Sequence, residues 1–127
     1  KYAIKKKLPI FGVCRGLQIL NIYFDGAVKA FKNQANQNKE HKIMINNNFC
    51  NLFKGEEFTV NNYHNYYISD KSLGKNLIPF AVSDHKTIEG FFHNKLQITA
   101  IQWHPERNSI FESIDIELIR NWIEQCT

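Results

Sequence analysis

The chain has 127 residues, of which 43% are hydrophobic and 13% aromatic, a composition typical of one globular domain. No stretch approaches the ~18 consecutive apolar residues of a membrane-spanning helix, so we expect no membrane association. Three cysteines without framework spacing argue against a disulfide scaffold and favour a reducing compartment. We therefore predict a cytoplasmic protein.

The formal net charge is +4, but the lysines are dispersed except at Lys5-Lys6-Lys7, which is typical of a solvated helix end. No aromatic-interleaved basic patch or zinc-finger spacing is present, so we expect no nucleic-acid partner. No pair of His, Cys, Asp or Glu residues has the spacing of metal ligands, and we predict neither a metal nor a cofactor.

Hydrophobic periodicity predicts alternating helices and strands. The chain opens on the end of a helix at residues 2–7, and the Asn-, Gln- and Lys-rich segment 31–39 is predicted to be a surface loop. The other predicted elements are, in chain order, a strand at 10–13, a helix at 16–24, strands at 41–45, 58–60 and 77–83, a hairpin of strands at 88–92 and 96–103, and a helix at 114–125.

The first candidate catalytic residue is Cys14, at the junction of the first predicted strand and helix. Gly12 and Gly16 flank it in the pattern G-x-C-x-G, the cysteine form of the nucleophile elbow. We expect glycine at both positions because the turn is crowded, and we expect the helix N-terminus to lower the pKa of the thiol. The alternative is a small buried core residue. Cys50 and Cys126 are predicted to be incidental thiols.

A second segment favours the catalytic interpretation. His104 ends an apolar run, and Glu106 follows two residues later. A cysteine nucleophile needs a histidine to accept its proton and a carboxylate to orient that histidine. Both segments end predicted strands, and that edge is where open α/β sheets place their sites. Glu89 is expected to be structural or at the pocket rim, and His85 and His93 to be solvated.

Five motifs, in order and spanning nearly the whole chain, resemble the class I glutamine amidotransferase-like superfamily, and most resemble its γ-glutamyl hydrolase branch (peptidase family C26, which includes γ-glutamyl-γ-aminobutyrate hydrolase). They are PIFGVCRGLQILN (9–21), EHKI (40–43), VNNYHN (60–65), IEG (88–90) and AIQWHPER (100–107). The resemblance implies an α/β, three-layer, flavodoxin-like fold with a mostly parallel sheet flanked by helices, here lacking its N-terminal strands. Residues 1–127 would then be the C-terminal part of a single domain.

The resemblance also implies roles for further residues. The backbone N–H of Arg15 would form one half of an oxyanion hole, and a glycine-rich loop that precedes these residues in the family would supply the other. Gln18, Asn62, Tyr63 and His64 would bind the glutamyl group. This chain has Asn62 where relatives often have Ser, and Asn65-Tyr66 where they have His-Gln, which puts the leaving-group side of the pocket in doubt. For His64 the alternative is a packed or surface histidine.

The implied function is cysteine-dependent hydrolysis of a γ-glutamyl amide through a γ-glutamyl thioester, releasing glutamate and an amine without a cofactor. One alternative is a glutaminase subunit that acts on glutamine and delivers ammonia to a partner synthase; another is a non-catalytic relative that kept the fold. The amine stays open among polyamines, amino acids, ethanolamine-like and nucleotide-linked groups. The lysine-rich surface favours an anionic one.

Overall fold

The computed structural model describes residues 1–32, 40–46, 53, 55–108, 110 and 112–124. Within them the helices are α1 (Tyr2–Lys5), α2 (Arg15–Tyr23) and α3 (Ser113–Glu124). The strands are β1 (Ile10–Val13), β2 (Lys29–Ala30), β3 (His41–Ile45), β4 (Glu57–Val60), β5 (Tyr66–Tyr67), β6 (Leu77–Ser83), β7 (Ile88–His93) and β8 (Ile98–Ile101). Short 3-10 helices lie at Asp70–Ser72 and Pro105–Arg107. None of the described helices is long and apolar enough to cross a membrane.

The strands form one large sheet and a two-stranded ribbon. The large sheet has the order β1-β8-β7-β6-β3-β4, and β2 pairs with β5. Only the β1–β8 pair is parallel, whereas the four other neighbouring pairs of this sheet are antiparallel. The α/β class is confirmed, but "mostly parallel" does not describe this part of the sheet. Short turns join β6, β7 and β8 in sequence, and short connections make antiparallel neighbours.

The elements predicted from periodicity lie close to their observed positions. The predicted strand at 41–45 coincides with β3, and the predicted hairpin is the β7–β8 pair. Helices α2 and α3 begin one residue earlier than predicted, and α1 begins at Tyr2 as predicted but ends two residues earlier. These differences lie within the usual scatter of helix ends. Cys50, Cys126 and most of the predicted loop at 31–39 lie outside the described residues.

Two hydrophobic clusters show that the helices cover opposite faces of the sheet. Leu17 and Leu20 of α2 pack with Ile98 and Ala100 of β8, whereas α3 joins the cluster that contains Ile101 of the same strand. Successive side chains of a strand point to opposite faces, so α2 and α3 lie on different sides. This confirms the three-layer arrangement.

The turn from β1 into α2 is strained at the cysteine. Cys14 has φ 51° and ψ −103°, backbone angles that non-glycine residues rarely adopt. A Cβ added to Gly12 would lie 2.9 Å from a methyl carbon of Leu20 and 3.0 Å from the carbonyl carbon of Gly16. A Cβ added to Gly16 would meet nothing within 4 Å. The crowding expected from the motif therefore exists at Gly12, and the expectation for Gly16 is wrong, since that position faces open space.

This difference predicts opposite effects for two alanine substitutions. Gly12→Ala should lower the free energy of unfolding by about 1–3 kcal/mol because the new methyl group must displace Leu20 or the backbone of α2. Gly16→Ala is the matched control and should raise stability by up to about 1 kcal/mol, since alanine is the better helix former. Urea denaturation of both variants measures the difference. Equal losses of stability would show that the turn does not depend on this one close contact.

Candidate active site

The half-buried Cys14 caps the N-terminus of α2, where β1 ends. Its backbone N–H donates to the carbonyl of Ile101 at 2.8 Å, which extends the parallel pairing by one residue. Its Sγ accepts a hydrogen bond from Gln102 Nε2 at 3.4 Å. The last residue of β8 therefore binds the backbone of Cys14, and the residue that follows β8 binds its side chain.

Burial is the largest influence on the Cys14 thiol and raises its pKa above the ordinary value. Hydrogen bonds from the Arg15 backbone N–H and from Gln102 favour the thiolate but offset this only in part. The helix N-terminus acts in the expected direction through the Arg15 N–H, but burial outweighs it, so the pKa of Cys14 lies above its ordinary value. The thiol therefore needs a base to lose its proton near neutral pH. Since the Arg15 N–H is directed at Sγ, its role toward an oxyanion stays a prediction.

His104 and Glu106 form a close pair. His104 Nδ1 lies 2.5 Å from Glu106 Oε1, and the side chains of the two residues are 14% and 56% exposed, respectively. Burial alone would raise the pKa of Glu106, but the His104 contact and backbone N–H groups more than offset it, and the pKa lies below its ordinary value. An ionised carboxylate only accepts, so Nδ1 carries a proton, and in the neutral imidazole the lone pair is then on Nε2. This is the tautomer that a general base requires.

The parallel strands bring Cys14 and His104 to one edge of the sheet. Val13 pairs with Ile101, and His104 follows three residues after Ile101. Among the described residues, no hydrogen bond joins Cys14 Sγ to the His104 ring. In ligand-free structures such bonds are often long and tighten only when substrate binds.

Asn61 holds the backbone of His104 and was not predicted. Its Oδ1 accepts the His104 N–H at 2.8 Å, and its Nδ2 donates to the His104 carbonyl at 2.7 Å. Nδ2 also lies 3.2 Å from Asn108 Oδ1. The amide therefore fixes the residue on which general-base chemistry would depend. In the sequence, Asn61 stood out only as a member of the motif VNNYHN (60–65), which gave it no role of its own.

Gln102 is a second residue that the sequence did not single out. It is buried, and its Oε1 accepts a hydrogen bond of 3.4 Å from Gln18 Nε2 while its Nε2 donates to Cys14 Sγ. Gln18 is thus connected to the thiol through a single intervening side chain, that of Gln102. This agrees with its predicted position on the first turn of α2, close to Cys14. The substrate-binding role of Gln18 stays a prediction.

The other predicted binding residues fall into different environments. Tyr63 is 40% exposed, its ring stands edge-on to the His104 ring with centroids 5.9 Å apart, and the Arg107 guanidinium lies 4.4 Å from its centroid. Asn62 is half-buried in the same segment. His64 is buried, and its Nδ1 lies 2.6 Å from the Tyr66 carbonyl oxygen. Tyr63 therefore stands beside His104, and the His64 side chain is packed, so only the backbone of His64 could contact a substrate. The binding roles of Asn62, Tyr63 and His64 stay predictions.

Trp103 fixes the end of β8 against α3. It is fully buried, and its Nε1 donates to Asp115 Oδ1 at 2.8 Å, while Asp115 Oδ2 accepts the Glu112 N–H at 3.3 Å. Burial raises the pKa of Asp115 above its ordinary value. The residue that directly precedes His104 is thus anchored to the opposite layer.

One member of the 61–65 segment, His64, forms a buried cluster with His41 and Glu89. His41 Nε2 lies 3.1 Å from Glu89 Oε2, and His64 Nε2 lies 3.8 Å from Glu89 Oε1. Burial lowers the pKa of His64. Burial would also lower that of His41, but the Glu89 carboxylate more than offsets this and leaves it above its ordinary value. Glu89 is structural rather than at the rim, since it is only 1% exposed.

The two remaining histidines differ. His85 is exposed, as predicted, but the expectation that His93 is solvated is wrong. His93 is buried, and its Nδ1 accepts the backbone N–H groups of Lys95 and Leu96, which closes the β7–β8 turn.

Comparisons with known proteins show the family and the fold of the chain. The model of the family "Glutamine amidotransferase class-I" matches residues 1–125. The chain belongs to this family. A γ-glutamyl-CDP-amidate hydrolase of Campylobacter jejuni is 29% identical over 119 residues, which cover 94% of this chain and 52% of that protein. A glutamine amidotransferase-like protein of Lactococcus lactis is 31% identical over 118 residues, covering 84% of this chain and 49% of that protein.

A solved structure of a class I glutamine amidotransferase relative supports the fold. The crystal structure of a GMP synthase subunit from Thermoplasma acidophilum superposes with a TM-score of 0.78 and 28% identity, over 98% of this chain and 60% of that one. The family resemblance predicted from the motifs is confirmed. The chain spans about half the length of the curated relatives that it matches.

The environment of Cys14 predicts an alkaline reactivity profile. With Cys50 and Cys126 replaced by Ser, the rate of Cys14 alkylation by iodoacetamide should be measured as a function of pH. The midpoint of this pH profile should lie above the pKa of an ordinary thiol, because only the thiolate reacts. Gln102→Leu should move the midpoint to still higher pH, since the thiolate loses a hydrogen-bond donor. Gln18→Leu is the graded control: it leaves the Gln102–Sγ bond in place and should shift the midpoint less. A midpoint that Gln102→Leu leaves unchanged would contradict this assignment.

The Asn61 clamp predicts a positioning effect on turnover. Asn61→Ala should lower kcat by up to about 10²-fold with little change in KM, because the base is displaced while the pocket remains. Asn61→Asp keeps the acceptor for the His104 N–H and should restore part of the rate. Asn108→Ala is the control, since it removes only the outer contact. A loss that appeared in KM alone would assign Asn61 to substrate binding instead.

Proposed function

We propose that the protein hydrolyses γ-glutamyl amides, with Cys14 as nucleophile, His104 as base and acid, and Glu106 as the residue that orients His104. The observation that carries the proposal is the pairing of His104 with Glu106 at the sheet edge where β1 ends in the strained turn of Cys14. Family membership and the similarity to a γ-glutamyl-CDP-amidate hydrolase support the same reaction class.

In the first half of the reaction, Cys14 Sγ attacks the δ-carbonyl carbon of the γ-glutamyl group and its proton passes to His104 Nε2. The Arg15 N–H stabilises the oxyanion. The C–N bond then breaks, the amine leaves with the proton from His104, and a γ-glutamyl thioester remains on Cys14. Because burial raises the pKa of the Cys14 thiol, proton transfer to His104 is the step that activates the nucleophile.

In the second half, His104 takes a proton from water, and the resulting hydroxide attacks the thioester carbon. The C–S bond breaks, glutamate is released and the thiol regains its proton. Glu106 holds the tautomer and stabilises the imidazolium in both halves. The buried Gln102 side chain limits the movement of the Cys14 thiol, and the Tyr63 ring limits the movement of the His104 ring.

A second candidate function is a glutaminase that delivers ammonia to a synthase partner. The similarity in fold to the Thermoplasma acidophilum GMP synthase subunit favours it. The two candidates share the chemistry at Cys14 and differ in the amine released and in the need for a partner.

Substitutions in the proposed catalytic set test the mechanism. In the full-length protein, Cys14→Ala should abolish glutamate release, and Glu106→Gln should lower kcat roughly 10²- to 10⁴-fold while substrate still binds. Glu57→Gln, at an exposed position on β4, is the matched control and should leave the rate unchanged. Near-normal turnover by the Cys14→Ala variant would remove the cysteine from the reaction.

A substrate panel separates the candidate functions. Glutamate release should be measured from glutamine and from γ-glutamyl amides of amino acids, polyamines, ethanolamine-like and nucleotide-linked amines. Release from one bulky amide without a partner supports a free-standing hydrolase. Release from glutamine that rises only with a synthase partner supports the ammonia-delivering glutaminase. Binding of these amides without any release would favour the non-catalytic relative.

A further inference from the structure

The cluster of His41, His64 and Glu89 joins three separate parts of the chain. His41 begins β3, His64 follows β4 in a segment without regular secondary structure, and Glu89 lies on β7. One ligand atom from each side chain lies within 4.8 Å of the other two. Two imidazoles and a carboxylate form a donor set typical of zinc and other first-row divalent ions.

The His64 ring presents an unpartnered nitrogen to the cluster. Its Nδ1 lies 2.6 Å from the Tyr66 carbonyl oxygen, which can only accept, so Nδ1 carries the proton. Nε2 therefore keeps its lone pair, is buried without a hydrogen bond, and lies 3.8 Å from a carboxylate oxygen that also only accepts. Two acceptors face each other, and a cation between them would satisfy both. A backbone carbonyl on the far ring nitrogen is the usual support of a metal-binding histidine.

One oxygen of the Glu89 carboxylate accepts a hydrogen bond from a chain of two hydroxyl groups. Ser83 Oγ accepts the backbone N–H groups of His85 and Thr87, so its own proton is directed to Thr87 Oγ1 at 2.6 Å. The Thr87 hydroxyl in turn donates to Glu89 Oε1 at 3.0 Å. The other oxygen, Oε2, is buried and lies 3.1 Å from His41 Nε2, and within the part of the chain that the structure describes neither of these two atoms has a further polar partner.

We propose that His41, His64 and Glu89 bind one divalent transition-metal ion, of which Zn²⁺ fits the donor set best. Tetrahedral zinc with nitrogen and oxygen ligands places its ligand atoms about 3.3 Å apart. His41 Nε2 lies 3.1 Å from Glu89 Oε2 and His64 Nε2 lies 3.8 Å from Glu89 Oε1, so each carboxylate oxygen faces one histidine. The His41 side chain is 11% exposed, so the ion would reach the cluster past this histidine, and a water would complete the coordination. The spacing of these residues in sequence did not predict the site, since the sheet brings them together.

The bound ion would fasten the 61–65 segment to β3 and β7. Tyr63, the neighbour of His64, stands against the His104 ring. The ion would therefore order one wall of the candidate active site without contacting Cys14. This proposal does not depend on the reaction proposed above.

The test measures Zn²⁺ binding to the full-length protein after treatment with a chelator. Cys14, Cys50 and Cys126 are replaced by Ser, so that none of these three thiolates competes for the ion. Competition with a chromophoric chelator gives affinity and stoichiometry, and Co²⁺ gives a tetrahedral absorption spectrum. We expect one equivalent of Zn²⁺ per chain. His41→Gln and Glu89→Gln should each weaken binding at least ~10-fold, the loss seen when even an outer partner of a metal ligand is removed.

Two matched controls locate the ion. His85→Gln, at an exposed histidine outside the cluster, and His104→Gln, in the candidate active site, should leave the affinity unchanged. Because Glu89 is deeply buried, His41→Gln carries the test if the Glu89 variant does not fold. Zn²⁺ should also raise the melting temperature of the protein but not that of the His41→Gln variant. No stoichiometric binding, an affinity that His41→Gln leaves unchanged, or a loss confined to His104→Gln would each overturn the proposal.

Discussion

The parallel pairing of β1 with β8 is the constraint on which the candidate site depends. Because both strands run in the same direction, their carboxyl ends lie side by side. The hydrogen bond from the Cys14 N–H to the Ile101 carbonyl is the last of this pairing, and the chain turns into α2 directly after it. The strained backbone at Cys14 persists because β8 holds it on one side and α2 on the other. Gly12 allows that close approach, since a larger residue would displace the helix.

Neutral amide side chains, rather than charges, then organise the residues around this edge. Asn61 holds both backbone polar groups of His104, and Gln102 connects Gln18 to the thiol. Each such bond contributes only about 0.5–1.5 kcal/mol to stability. Their larger effect is orientation, because a carboxamide donates and accepts without the desolvation cost of a buried charge.

The molecule uses histidine and glutamate twice, in contrasting surroundings. Glu106 is largely exposed, so its carboxylate is ionised at little cost and fixes the tautomer of one histidine. Glu89 is buried between two histidines and one threonine, where an ionised carboxylate needs a compensating positive charge. The same residue types therefore suit proton transfer at the surface and cation binding in the interior.

The sequence by itself determined what local pattern can carry: the positions of the helices and of the strands of the large sheet, the cysteine turn, the His104-x-Glu106 pair, and the family to which the chain belongs. The short strands β2 and β5 were not predicted. Period-2 and period-3.6 patterns and nearby glycines report backbone conformation directly. Only the tertiary structure decided the strand directions beyond β1 and β8, the open space at Gly16, the raised pKa of Cys14, and the partners of Asn61, Gln102 and His41. These depend on burial and on contacts between residues distant in sequence, because solvent exclusion and hydrogen-bond geometry exist only once the layers have packed.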